Sequence, residues 1–120
     1  MIEKRLLELP DEISKTRIKL LDMDQWLGKE REKMENWIVE QTINITNAKD
    51  EKGKAVYSNE TKRKSELAYR KQASTTYQTL ESNYRKLERE IEIKKIELDK
   101  LYNEQKNLRA ICRLEGGLDG

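Results

Sequence analysis

An all-α fold, a long antiparallel helical hairpin zipped as a coiled coil, is what this sequence predicts, and three observations predict it. Apolar residues recur in a three-four rhythm in the first part of the chain and again in the last part. Between those runs the rhythm stops at a segment with the chemistry of a turn. The composition is also lean: 35% of residues are apolar, 40% are charged and there is no Phe. A compact globule of this length needs more apolar material to offset the entropy of ordering its chain, whereas a narrow seam does not. Disorder would go with weak periodicity and high net charge. Here 25 Lys and Arg nearly cancel 23 Asp and Glu, so the coiled coil is favoured.

The first arm reads in sevens as Leu6, Ile13, Leu20, Leu27 and Met34, with a companion series of Ile2, Leu9, Thr16, Met23, Glu30 and Trp37. Pro10 has no amide hydrogen and would press on the carbonyl of Leu6 in a continuous helix. A short helix before it, then a kink or restart at Asp11-Glu12, is therefore expected. Gly28 falls inside the helix, where it costs roughly 1 kcal/mol relative to Ala. A close approach by the partner helix near Trp26 and Trp37 would account for it.

At the tip the period changes. Ile43-Asn44-Ile45-Thr46 alternates apolar and polar, as a short strand does, and Ala55-Val56-Tyr57 reads as its return. Asp50-Glu51-Lys52-Gly53 lies between them, with Gly53 suited to the left-handed conformation that closes a hairpin loop. The expectation is a small β-hairpin at the tip or, failing that, an ordered loop. Ser58 or Asn59 then caps the returning helix, with Glu60 in its first turn.

The second arm repeats the rhythm as Tyr77, Tyr84, Ile91, Leu98, Gln105 and Cys112, with Leu80, Leu87, Lys94, Leu101 and Leu108. Ala73 and Leu67 extend it upstream. Trp26, Trp37, Tyr77 and Tyr84 sit at or near seam positions and read as core. Glu30, Lys94 and Gln105 are polar seam residues of the kind that fix register at some cost in stability. Counting from the tip puts Glu30 and Lys94 at different heights, which argues against a pair between them.

The organisation that follows is one hairpin domain over residues 1–115, with a first arm at about 2–46, a tip at 47–58 and a second arm at 59–114. A flexible tail at 116–120 follows, rich in glycine. Measured from the tip, the second arm is longer and should project about 20 Å beyond the first at ~1.5 Å per residue. That overhang would carry Leu101, Leu108, Ile111, Cys112 and Leu114. Apolar residues without an intrachain partner usually meet another chain, so they are the candidate interface of a homo-oligomer, most simply a dimer forming a four-helix bundle.

Several function classes are disfavoured. With no His and only Cys112, there is no imidazole base, no cysteine-base pair and no Cys/His zinc site within one chain, and no cofactor is expected. The carboxylates fall on solvated helix faces, where nothing would tune their pKa. The chain is read as a binding protein and not an enzyme. Met1-Ile2-Glu3-Lys4-Arg5 lacks the apolar core of a signal peptide and no stretch of 18 apolar residues occurs, so a cytoplasmic, non-membrane protein is expected. The sequons at Asn44 and Asn59 are then chance matches.

The candidate binding site is the tip and the start of the second arm. Residues 49–71 hold eight cations against four carboxylates, a net +4 in a chain whose total is +2. The candidates are Lys49, Lys52, Lys54, Lys62, Arg63, Lys64, Arg70 and Lys71, which would neutralise phosphates, with Tyr57 and Tyr69 placed to stack on bases. The bland alternative is a loop that its charges merely keep solvated. Three readings stay open: a basic tip that touches DNA or a DNA-bound protein, a protein inhibitor or adaptor such as a counter-defence factor binding a host protein, and a purely structural spacer.

The stretch from Ala48 to Arg63, Ala-Lys-Asp-Glu-Lys-Gly-Lys-Ala-Val-Tyr-Ser-Asn-Glu-Thr-Lys-Arg, followed by Glu66-Leu67, resembles the hairpin tip of small coiled-coil proteins carried by phages and prophages of low-GC bacteria. Leu7-Glu-Leu-Pro-Asp-Glu-Ile13 adds to the likeness. The resemblance implies a mobile-element origin and an accessory role in DNA recombination or replication. It implies no particular functional residues. Trp26-Leu27-Gly28 matches the Trp-x-Gly tripeptide of small secreted helical hairpins, but there it occupies the turn and here it lies within a heptad, a placement that argues against kinship.

Overall fold

The structure is a computed structural model that describes Ile2–Gly116, and it is an all-α helical hairpin. Helix α1 spans Ile2–Asn47, α2 spans Glu60–Ala73 and α3 spans Thr75–Gly116. The tail expected at 116–120 falls, beyond Gly116, outside the described residues. No described helix is long and apolar enough to cross a membrane.

Helix α1 does not restart at Pro10; the proline sits within one continuous helix. An interior proline costs about 3 kcal/mol through its lost hydrogen bond and its clash with the preceding turn. Against that, Leu9 is 0% exposed and Ile13 7% exposed, and burying such a side chain is worth about 1.5–3 kcal/mol. The apolar stripe on both sides of Pro10 outweighs the local defect.

The expected strand at Ile43–Thr46 is instead the last turn of α1. Ile45 is buried and Ile43 exposed, and the Thr42 hydroxyl donates to the Ile38 carbonyl at 2.7 Å, a contact made one turn back in a helix. Four alternating residues are too few to separate a strand from a helix end. Among the described residues no strand forms, and the return at Ala55 makes only a single antiparallel bridge to Lys49. The tip is an ordered loop. Asp50 donates its amide to the Lys54 carbonyl at 2.8 Å, and its carboxylate accepts from the amides of Lys52 and Lys54, both at 2.9 Å. Gly53 takes φ +79°, the left-handed turn its position required.

Asn59 caps α2: its side-chain oxygen accepts from the Lys62 amide at 2.9 Å, and Glu60 follows in the first turn. One break was not anticipated. Ser74 is extended (φ −89°, ψ 116°), its amide closes α2 on the Arg70 carbonyl at 2.9 Å, and its hydroxyl accepts from the Tyr77 amide at 3.0 Å to open α3. The Gln78 side chain then donates to the exposed carbonyls of Lys71 and Gln72. Ser74-Thr75-Thr76 carries cap chemistry, and the seven-residue count slips there: fourteen before Leu80 is Glu66, one place from Leu67.

The chain divides into two compact units. In the unit Leu27–Lys86, α1 runs antiparallel to α2 and the start of α3. The rings of Trp37 and Tyr77 lie 4.7 Å apart at a 43° tilt, and Arg31 donates to the Tyr84 hydroxyl at 3.1 Å. Tyr77 is buried, and burial pushes its phenol above the usual range. Gly28 does not mark a close approach of helices, since a Cβ placed there would meet nothing within 4 Å. Trp26, in the other unit, is 44% exposed beneath the Lys19 ammonium and is not core.

In the unit built from the residues up to Trp26 and those from Leu87 onward, Leu9, Ile13, Met23 and Ile91 form the buried seam. Arg5 forks onto Glu104 at 2.6 and 2.8 Å and also bonds Glu12. Those partners hold the guanidinium above its usual range, chiefly through Glu104, while the same hydrogen bond holds the Glu104 carboxyl below the usual carboxylate range. Glu30 pairs with Lys33 and Lys94 with Glu97, each one turn along its own helix.

Candidate nucleic-acid interface

The structure separates the ten candidate residues of the basic tip into two groups. Lys49, Lys52, Lys54, Lys62 and Lys64 are exposed, the first three on the Asp50-anchored loop and the last two on the first turns of α2. The loop's geometry is fixed by backbone and Asp50 contacts, so the three loop ammonium groups are carried on a held backbone and not used to hold it. Lys62 makes only a 3.4 Å contact with the Ser58 hydroxyl, and Lys64 pairs with Glu60 at 3.2 Å where both side chains are about three-quarters exposed. Exposed pairs of this kind contribute ~0–1 kcal/mol and yield readily to a phosphate.

The other cations are committed to the fold. Arg63 donates to the Tyr57 carbonyl at 3.3 Å, fastening the end of the loop to α2. Arg70 reaches Glu66 at 3.2 Å, Gln41 at 2.9 Å and Asn44 at 2.7 Å, bracing α2 against α1. Burial works against its charge, but the nearby Tyr57 and the hydrogen-bonded Glu66 outweigh that and raise the guanidinium above its usual range. Lys71 lies over the Tyr77 ring at 5.5 Å. Tyr57 is half-buried, whereas Tyr69 is 65% exposed and free to stack. Counting charges along the sequence could not separate these roles. The i,i+4 spacing of Glu66 and Arg70 was the available sign that Arg70 has local work.

The candidate oligomer interface divides too. Arg5 stands abreast of Glu104, and Glu12, Lys15 and Thr16 line one hollow with Glu97, Lys100 and Leu101. Leu101 therefore belongs to the intrachain seam and not to an overhang. Leu108 and Cys112 are half-buried, the latter as a free thiol, while Ile111 is 37% and Leu114 85% exposed.

Missed by sequence reasoning was a second exposed apolar face, on the side of α1, where Ile18 and Leu21 are 56% and 64% exposed. Comparison with known proteins finds no matching family model, no matching curated protein and no matching solved structure.

Proposed function

We propose that this hairpin is a non-enzymatic DNA-binding accessory, of phage origin, that acts beside recombination or replication proteins by laying its basic tip on the phosphate backbone. The observation that carries the reading is the set of five exposed lysines on the Asp50 loop and the first turns of α2, with Tyr69 exposed on the same helix. Point charges on flexible stems neutralise phosphates without reading sequence, and an accessible ring can stack on an unpaired base. The resemblance of the tip to those of phage-borne coiled-coil hairpins supports the biological setting.

Fluorescence anisotropy with labelled single-stranded and duplex oligonucleotides tests it. Five phosphate contacts predict a log–log salt slope of about −3.5 on single strands and about −4.5 on duplex. Replacing Lys52, Lys54, Lys62 and Lys64 together by Glu should abolish retention with the far-ultraviolet circular dichroism unchanged. Tight binding by that variant defeats the assignment.

A second reading, a protein inhibitor or adaptor, is favoured by Val56, which is 46% exposed among the loop charges, and by the exposed carboxylates of Glu51 and Glu60. It predicts one stoichiometric protein partner whose capture survives nuclease treatment.

A further inference from the structure

We propose that the exposed side of α1 in the first unit is a self-association face, on which a second copy of this chain docks antiparallel with Ile18 and Leu21 meeting across a two-fold axis. Both side chains are more than half exposed, although α1 is anchored on its other side by Leu9 and Met23, with buried Ile13 at the edge between the two. They border a groove of about 430 Å³ together with Pro10, Ser14, Tyr102 and Gln105, and Arg17 is the sole ionisable cation on its walls.

Ser14, Ile18, Leu21 and Gln25 are spaced four, three and four apart, the spacing of a coiled-coil seam turned to the outside of the hairpin. When two such helices cross antiparallel about an axis level with Lys19 and Leu20, Ile18 faces Leu21 of the second copy and Ser14 faces Gln25. The centre is apolar, and the next layer on each side can form a hydrogen bond.

The charges beside this seam choose the occupant. In the antiparallel register Lys15 falls beside Asp22 of the second copy and Arg17 beside Asp24, and the two-fold axis repeats both pairs. All four side chains are exposed in the single chain. Lys15 has an intrachain partner, Asp11 at 3.0 Å, but that pair is more than two-thirds exposed on both sides and exchanges at little cost. A parallel register matches fewer charges: Arg17 meets Asp22, while Lys15 faces Pro10. A face complementary to itself in both its apolar centre and its charged borders is what an isologous dimer requires.

Sedimentation equilibrium of the full chain over a micromolar concentration series tests the proposal, independently of any nucleic acid. The wild-type chain should dimerise. Leu21→Glu should leave a monomer with unchanged helical circular dichroism. Lys15→Glu or Asp22→Lys alone should weaken the dimer about tenfold or more, and the two together should restore it, because each reversed charge again meets its opposite. Ile111→Glu with Leu114→Glu should leave the dimer intact. A wild-type chain that stays monomeric, a dimer that survives Leu21→Glu, a charge exchange that fails to restore it, or a dimer lost on changing Ile111 and Leu114 would each overturn the proposal.

Discussion

Gly28 and Gly53 lie in the same compact unit, and the same substitution should move its stability in opposite directions. Gly28 is inside α1, where glycine costs about 0.8–1 kcal/mol relative to alanine through backbone entropy. A Cβ there meets nothing within 4 Å, so Gly28→Ala recovers that amount with no packing cost. For a chain of this size each 1 kcal/mol moves Tm by about 3–5 °C, and a rise of that order is predicted. At Gly53 the space is equally open, but φ is +79°. An L-residue pays about 1–2 kcal/mol in the left-handed region, so Gly53→Ala should lower Tm by a comparable or larger step. Thermal melts followed by circular dichroism at 222 nm read both variants against wild type. If Gly28→Ala lowers Tm, the helix is contacted at that point and the open face described here is wrong. If Gly53→Ala raises it, the turn geometry is wrong.

Four further outcomes follow from the contacts. Glu104 has its pKa depressed by Arg5, so its contribution is present above the ordinary carboxylate pKa of about 4.3 and fades as pH falls through the lowered value; Glu104→Gln should flatten that part of the acid limb in a urea titration series run from neutral pH downward. Arg70→Leu removes the brace between α2 and α1 and should cost about 1–2 kcal/mol, the low end for a hydrogen-bonded charge because its side chain is 24% exposed, and the loss should appear in melts before any binding is measured. Ser74→Ala removes the cap of α3 and should cost about 1 kcal/mol in the same assay, with faster amide exchange at Tyr77. Tyr77→Ala takes away the ring that meets Trp37 and should cost about 3–5 kcal/mol, with a red shift of the Trp37 emission as water reaches it.

The long elements were legible because each rests on many residues acting together. Leu9, Ile13 and Met23 in one arm and Tyr77 and Ile91 in the other are buried where the seven-residue count puts them. The cap at Asn59 and the turn at Gly53 were legible for another reason, since each depends on the chemistry of one residue at one position. The errors came where two local signals compete. Pro10 argues for a break and loses to the buried side chains around it. Ile43-Asn44-Ile45-Thr46 fits period two as well as a helix end, and the continuing helix wins. Ser74 signals a cap, yet one small polar residue weighs little beside the long apolar run that follows it. For the candidate site, composition located the basic tip but could not say which cations would be consumed by the fold. Arg63, Arg70 and Lys71 are spoken for only in three dimensions, because their partners Tyr57, Gln41, Asn44 and Tyr77 include residues from other elements. The exposed pair Ile18 and Leu21 was hidden by the stronger seam on the opposite side of the same helix.

Backbone amide chemical-shift mapping of the full chain titrated with a short single-stranded oligonucleotide tests the binding assignment most directly. Shifts should concentrate at residues 49–64 and around Tyr69, and fade as salt is raised. Shifts confined to residues 7–25, or none at saturating oligonucleotide, would contradict it.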